Sequence, residues 1–524
     1  MCVRNGSIGS IGSIGSIGSI GSIVAVLASF LLAGCATSAL DMAPPRPDQP
    51  WSPSTTSSGE IIAGERNPVA TANGYVLPVN SALTNIPPAP AVDPNEVYSL
   101  PRLIDVAESN NSATRIAWND ARRVALAAGI AESTYLPRIT ATAIGGFQGN
   151  SGSDSVQGVN FNNSGSANGT VSAVSLQWLL FDFGKRAAVV EAAKQASVIS
   201  NIAFNATHQQ VIYNVTLAFY TYAAAKARAA TAAQSLSDAQ AVQSAAEERY
   251  KHGIGTVIEV AQARQGTAQA NLALVQATGG EQDAYLALLT AMGVSPLTRI
   301  KVADVAGRNL SPSMATSVEA IVSESLGRRP DVLGAYAARS ASLANIRAAQ
   351  AEFMPKIFLS AIGSYNEGGL NLTALPSASQ EPPTVNVNGH RFNGGIFVGL
   401  TIPLYDGGTR SAVLAQARAD ADNADTRLTH VRDEAVRQIV QADNALRTSL
   451  SAYQASKALA GAAQTTFDAA LAAYHSGVGS ITDLTLANSQ LLQARNASTD
   501  AYSTALSAAA MLALATGTLG TTPE

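Results

Sequence analysis

Cysteine is almost missing from this 524-residue chain: Cys2 and Cys35 are the only two, and both precede residue 36. A disulfide framework therefore plays no part in the main body of the fold. Charge is scarce as well, at 13% of residues with a formal net charge of -4, so no basic face recruits nucleic acid. The five histidines include no His-x-x-x-His pair and no cysteines cluster with them, so neither a metal nor a cofactor is expected. Gly-x-Ser-x-Gly elbows, phosphate loops and dinucleotide fingerprints are also missing, and Gly253-Ile254-Gly255 lacks the third glycine and the preceding strand that a fingerprint needs. The chain does not read as an enzyme. Beyond residue 35 no stretch holds the roughly 20 apolar residues of a spanning helix. If the chain crosses a membrane, it does so as a β-barrel.

What is present begins with a low-complexity start, six Gly-Ser-Ile triplets from Gly6 to Ile23, followed by an apolar run ending Leu32-Ala33-Gly34-Cys35. Residues 1–34 look like a signal peptide with a lipobox, which makes Cys35 the lipidated first residue of the mature chain; acyl chains anchor by burying methylenes in the bilayer. The alternative is an uncleaved anchor with Cys35 as an ordinary buried thiol. Residues 35–96 are rich in Pro, Ser and Thr, a composition that buries little surface, and read as a tether or surface wrap.

The rest of the chain is written twice. Phe181-Asp182-Phe183-Gly184-Lys185-Arg186 returns as Tyr405-Asp406-Gly407-Gly408-Thr409-Arg410, and Tyr250-Lys251-His252-Gly253-Ile254-Gly255 returns as Tyr474-His475-Ser476-Gly477-Val478-Gly479, both 224 residues later. Tyr135-Leu136-Pro137 and Phe353-Met354-Pro355 form a third pair. This period is far beyond the 20 to 50 residues of solenoid repeats and implies two pseudo-symmetric halves, 97–310 and 311–517, with a short tail at 518–524.

Each half predicts the same order of elements. Lys185 to Arg249 has neither Gly nor Pro, and Thr409 to Ala473 has one Gly and no Pro. Each reads as one helix on the order of 100 Å long. Ala188, Ala192 and Ala196, like Ala417, Ala421 and Ala424, share a stripe that lets neighbouring helices approach closely; the Leu/Ile/Val heptads of a fibrous coiled coil are missing. Gly-bearing turns follow, then returning helices from Val257 to about Ala277 and from Ile481 to about Ala515. Shorter helices, Leu100 to Tyr135 and Pro330 to Phe353, precede the strands. Arg138 to Phe147, Val174 to Leu180, Lys356 to Tyr365 and Ile396 to Ile402 read as strands near the roughly 9 to 11 residues that a tilted transmembrane strand needs. Between them, Gln148 to Thr170 and Asn366 to Phe392 read as external loops. Four strands cannot close a barrel, so open edges demand oligomerisation.

This order resembles the TolC family of outer-membrane efflux proteins over roughly residues 97 to 517. The resemblance rests on Leu136-Pro137-Arg138-Ile139 and Met354-Pro355-Lys356-Ile357, on the two Phe/Tyr-Asp-x-Gly junctions, and on Tyr250-x-x-Gly253 and Tyr474-x-x-Gly477 with the Glu259-Val260 and Asp483-Leu484 that follow. It implies a mainly α fold with a membrane β-barrel: a homotrimer whose twelve strands close one barrel in the outer membrane above an α-barrel tunnel in the periplasm. It also implies a passive exit duct for drugs or small molecules, partnered by a periplasmic adaptor and an inner-membrane pump of the RND or ABC type. Within the same fold the alternative is the exit duct of type I protein secretion. From other classes come a non-conducting trimeric helical stalk and a diffusion porin; the duplicated hairpins disfavour the first and the long helices the second.

By the same resemblance Gly253, Gly255, Gly477 and Gly479 form the periplasmic tips that meet adaptor hairpins; equally, they serve to reverse the chain. Asp483 and its counterpart Glu259 correspond to acids at the tunnel entrance, and Glu259 is expected to accept a hydrogen bond from Tyr474 of an adjacent hairpin. Tyr250 is the counterpart of Tyr474 in the first half. The bland alternative for each acid is a solvated charge complementing a helix dipole. The basic residue that some members carry is replaced here by Gly479. His252 and His475 lie near the tips as solvated side chains, and Trp178 belongs either to an interfacial aromatic belt or to ordinary strand packing.

Overall fold

The computed structural model describes residues 42–44, 46–48, 50–51, 53–66, 75–84, 92–156, 159–305, 310, 318–368 and 391–520. Residues 1–34 and Cys35 lie outside these. Two compact units divide the chain at Ala89/Pro90. In the first, strands β1 (Pro53–Thr55) and β2 (Ile61–Arg66) pair antiparallel, so the expected tether has some structure of its own. Gly59 turns between them at φ +82°, where a Cβ would lie 2.0 Å from the Val79 carbonyl oxygen.

The second unit opens with β3 (Val97–Tyr98), α1 (Leu100–Asn110) and α2 (Ser112–Ser133). One helix was expected from Leu100 to Tyr135. Asn111 divides it, at φ -69° and ψ 128°, with its side chain capping Ala113 N. The break is held from outside: Asn111 Nδ2 donates to the Ala291 carbonyl at 3.0 Å, and Gly293 packs so closely that a Cβ there would come within 2.7 Å of the Asn111 Cα. Two strands follow, β4 (Arg138–Val156) and β5 (Val159–Phe181), then helices α3 (Lys185–Lys251) and α4 (Val257–Ala291), a short β6 (Lys301–Val302) parallel to β3, and α5 (Val318–Ser325). The second half supplies α6 (Pro330–Ala351), β7 (Lys356–Gly368), β8 (Arg391–Thr401), α7 (Thr409–His475) and α8 (Ile481–Ala515).

The duplication is metrical: α3 and α7 each have 67 residues, and α4 and α8 each have 35. The α4 helix overruns its expected end at Ala277, passing through Gly279 and Gly280. Its far end is fixed by Leu288, Leu289 and Met292, fully buried against Tyr98, Leu103, Val215 and Phe219. Tertiary packing outweighs the roughly 1 kcal/mol that each helical glycine costs. Helix α3 is the hub, touching α1, α2, α4, α6 and α8. Among the described residues no helix is long and apolar enough to cross a membrane.

The four long strands form one antiparallel sheet in the order β4-β5-β7-β8, and its two faces differ chemically. One row across it reads Ile139, Leu176, Ala361 and Ile396, and the next row on that face Ala141, Val174, Gly363 and Gly394. The opposite face carries Arg138, Gln177, Ser360 and Phe397, then Thr142, Ala173, Ser364 and Asn393. Alternation of this kind suits lipid on one side and water on the other. The stretch Gln148 to Thr170 departs from the expected loop. Its Gly/Asn/Ser composition suggests a coil, yet β4 and β5 stay paired from Arg138↔Gln177 to Val156↔Val159. At 19 and 23 residues these strands exceed what a bilayer requires; the ladder continues because pairing satisfies the backbone groups that face each other across the hairpin. In the second half residues 369–390 of the expected loop lie outside the described residues, while its ends belong to β7 and β8. Among the described residues, β4 and β8 each leave one edge unpaired.

Strand passes into long helix through the repeated Asp-x-Gly-x-Arg junction. Asp182 Oδ2 accepts from both the backbone N (2.9 Å) and Nε (3.0 Å) of Arg186, whose Nη1 donates to the carbonyls of Leu179 and Thr134. The same guanidinium lies 4.9 Å from the centre of the Tyr135 ring. In the second half Asp406, Arg410, Pro403 and Phe353 repeat the arrangement. Arginine's planar fork fits this use, since one group closes several strand-end carbonyls at once. Trp178 joins the same junction, its indole N–H donating to the Tyr135 carbonyl at 2.7 Å.

Candidate functional site: the paired helix turns

Both long helices end in the same turn. After Tyr250 the chain reverses with Gly253 at φ +74°, and Ile254 N and Gly255 N both donate to the Arg249 carbonyl at 3.0 Å. After Tyr474 it reverses with Gly477 at φ +84°, and Val478 N and Gly479 N donate to the Ala473 carbonyl. Gly253 and Gly477 are needed for their left-handed backbone. Gly255 and Gly479 are needed for space: a Cβ on either would stand 2.9 Å from the backbone N of Tyr250 or Tyr474. Chain reversal thus accounts for all four glycines. The turns present apolar side chains to solvent, with Ile254 68% and Val478 84% exposed, beside exposed Lys251 and His252.

Each returning helix starts on a cap that uses the acid singled out in the sequence. Thr256 Oγ1 accepts from Glu259 N (3.2 Å), and Glu259 Oε2 accepts from Thr256 N (2.8 Å), a complete capping box. Ser480 Oγ accepts from Asp483 N (3.1 Å) and donates to Asp483 Oδ2 (2.7 Å). Both carboxylates sit at helix N-termini, where the dipole favours negative charge. Asp483 is exposed and Glu259 half-buried.

Tyr474 and Tyr250 fare differently despite their equivalence in the repeat. Tyr250 is 52% exposed, whereas Tyr474 is fully buried within a core of Val242, Ala246, Ala263, Phe467, Ile481 and Leu484, drawn from both hairpins. The expected hydrogen bond from Tyr474 to Glu259 is not made within this chain: among the described residues the Tyr474 hydroxyl has no partner, and the Glu259 carboxylate is bound to its own cap. Arg249, which the sequence reading did not single out, meets Tyr474 instead. Its Nη1 donates to the Tyr474 carbonyl at 3.2 Å, and its guanidinium lies 5.1 Å from the ring centre. Burial pushes the Tyr474 phenol up, the charge of Glu259 adds to this, and Arg249 opposes it.

Around the first turn, Glu247 accepts from Arg264 across α3 and α4 (3.0 Å), and Lys251 donates to Glu248 (2.6 Å). Glu247 is held below the usual carboxylate range by Gln243 and then Arg264, and Glu248 by Lys251. His252 Nε2 is 3.9 Å from Glu248. Among the described residues no group of three or more His, Cys, Asp or Glu is placed to hold a metal ion. Cys35 lies outside the described residues.

Comparison with known proteins points in one direction. The chain matches the outer membrane efflux protein family over residues 103–294 and 321–518. Protein CyaE of Bordetella pertussis is 28% identical over 411 residues, which is 78% of this chain and 82% of that protein. Outer membrane protein OprJ of Pseudomonas aeruginosa is 26% identical over 386 residues, 72% of this chain and 75% of that one. The crystal structure of the outer membrane protein VceC from Vibrio cholerae superposes with a TM-score of 0.65 at 21% identity, covering 80% of this chain and 96% of that one.

Proposed function

The chain belongs to the outer membrane efflux protein family, and from that premise we propose a passive homotrimeric exit duct for drugs and other small molecules. The protein is an outer-membrane channel for efflux or secretion. The observation that carries the trimer is the sheet: one apolar face, one polar face and, among the described residues, two unpaired edges. In lipid such edges are costly. Three copies joined β8 to β4 close a barrel of about twelve strands, within the size range of bacterial outer-membrane barrels.

The helix turns at Gly253 and Gly477 then form the periplasmic end, and their exposed Ile254 and Val478 offer an apolar surface to the helical hairpins of an adaptor protein. An inner-membrane pump supplies the energy. Asp483, repeated around a threefold axis, concentrates negative charge in a narrow aperture and favours cations. Cys35 carries lipid as a further membrane anchor; palmitate labelling that survives Cys35→Ser would remove that anchor.

Conductance of the purified protein in planar bilayers tests the duct. A small cation-selective conductance that loses selectivity with Asp483→Ala is expected. Silence in both proteins, with intact trimers, points instead to a structural stalk.

A further inference from the structure

Three of the long helices leave a recess of about 720 Å³ between them, within the roughly 300–1,000 Å³ of small-molecule sites. Tyr220 and Tyr222 enter it from α3, Tyr453 from α7 and Tyr502 from α8. All four are half-buried, and the Tyr453 and Tyr502 rings lie 5.2 Å apart, tilted by 50°. Most of the remaining wall is alanine, serine and threonine, small side chains that leave the volume open. The charge of the lining is unbalanced. It holds two cations, Lys226 and Arg495, and one acid, Asp304, which Lys226 takes at 2.6 Å. Arg495 has no carboxylate partner among the described residues; its side chain donates only from Nη2 to Gln464 Oε1, at 2.5 Å. Gln464 is in turn oriented by donating through Nε2 to Asp468 at 2.8 Å. The guanidinium is thus held in place with N–H groups left over for an anion.

The duplication shows that the helical frame does not require these side chains. In the other half the positions equivalent to Tyr220, Tyr222, Tyr453, Arg495 and Tyr502 are Asn444, Leu446, Ala229, Asn271 and Thr278. Helices of the same length pack there with neither a tyrosine nor an arginine at those places. We propose that the recess is a binding site for a small aromatic carboxylate, its ring among the four tyrosines and its carboxylate on Arg495. Tyrosine suits the wall because its ring stacks on another ring while its hydroxyl stays wet. Arginine suits the end because its charge-assisted hydrogen bonds to a carboxylate are among the strong ones. A neutral ring compound gains nothing from Arg495, and an acid without a ring gains nothing from the tyrosines. All of these residues belong to one chain, so the site does not depend on the duct reading.

The test titrates 2-naphthoate into the full-length protein in dodecyl maltoside, by equilibrium dialysis and calorimetry, with micelles alone as the blank. One saturable site per chain is expected. Arg495→Met should weaken binding about tenfold or more, the loss that follows from removing a hydrogen bond to a charged group. The neutral analogue 2-naphthylmethanol should bind wild type and Arg495→Met equally weakly. Ala460→Phe fills the recess from α7 and leaves Arg495 in place; it should abolish binding, and it serves as the deciding variant if Arg495→Met does not assemble. Unchanged affinity in a folded, oligomeric Arg495→Met or Ala460→Phe protein overturns the assignment. So does 2-naphthylmethanol binding as tightly as 2-naphthoate, since the arginine would then recognise nothing. Uptake by wild type that never saturates above the micelle blank also overturns it.

Discussion

Phe183 and Gly407 hold the same left-handed backbone position in the two halves, at φ +53° and +68°. An L-residue there costs about 1–2 kcal/mol, and Phe183 recovers some of it by setting its ring edge-on to Phe181 at 4.7 Å, a contact worth about 0.5–1.5 kcal/mol. Phe183→Gly should therefore change stability by less than about 1 kcal/mol, whereas Phe183→Ala keeps the strain, loses the ring pair and should lower it by about 1 kcal/mol. Gly407→Ala, with strain newly introduced, should cost about 1 kcal/mol. Heat-dissociation midpoints of the oligomer rank the three variants.

The two Asp-Arg junctions are predicted to differ in weight. Side-chain exposure is 6% for Asp182 and 10% for Arg186, against 32% for Asp406 and 15% for Arg410. Removing one partner of a buried pair costs about 3–5 kcal/mol; a more exposed pair costs about 1 kcal/mol or less. Asp182→Ala should thus reduce the yield of folded oligomer much more than Asp406→Ala. Equal losses would mean that burial is not what sets the strength of the junction.

A third prediction concerns the polar face of the sheet, where Phe358 lies across Gly399, its directly paired neighbour. A Cβ on Gly399 would stand 2.2 Å from the Phe358 ring. Gly399→Val must push that ring off the wall, at an overpacking cost of about 1–3 kcal/mol. Where the oligomer still assembles, the displaced ring narrows the lumen and conductance falls. Gly399→Val paired with Phe358→Ala should restore both, which separates ring displacement from any loss of strand propensity.

Tyr474 supplies a pH dependence. Its folded-state pKa is raised, so its contribution to stability is whole below the unfolded tyrosine value of about 10 and is lost as pH rises through the folded value. In the ultraviolet phenolate titration of the folded protein, the difference between wild type and Tyr474→Phe should show one tyrosine that ionises later than an exposed one. Arg249→Met removes an opposing positive charge and should move that ionisation to still higher pH.

Much of the helical architecture was legible because absence is a clear signal. A run of 65 residues without Pro and with at most one Gly leaves few options, and α3 and α7 follow such runs to within two residues at one end. The strands were read by alternation, which is clear up to Phe147 and is lost from Gln148 onward, where the Gly/Asn/Ser-rich composition resembles a loop. The break at Asn111 was invisible because its cause sits about 180 residues away at Ala291. Glu259, Asp483 and the turn glycines were singled out through the family resemblance, and the structure places them in two helix caps and two turns. Arg249 was missed because a lone arginine in the last turn of a helix looks like an ordinary answer to the helix dipole; only its pairing with Ala473 across the repeat marks it as unusual.

The length of α3 and α7 has a mechanical consequence. In a rod of 67 hydrogen-bonded residues, a change in winding too small to disturb any single bond accumulates along the axis, much as the mismatch between 3.6 and 3.5 residues per turn accumulates to about 20° in each heptad. One end of each rod is pinned to a strand by its Asp-Arg junction, so torque applied at the far turn is stored as twist along the whole shaft. Such a shaft has the geometry of a torsion spring, in which a small turn at the far end is shared over the whole length.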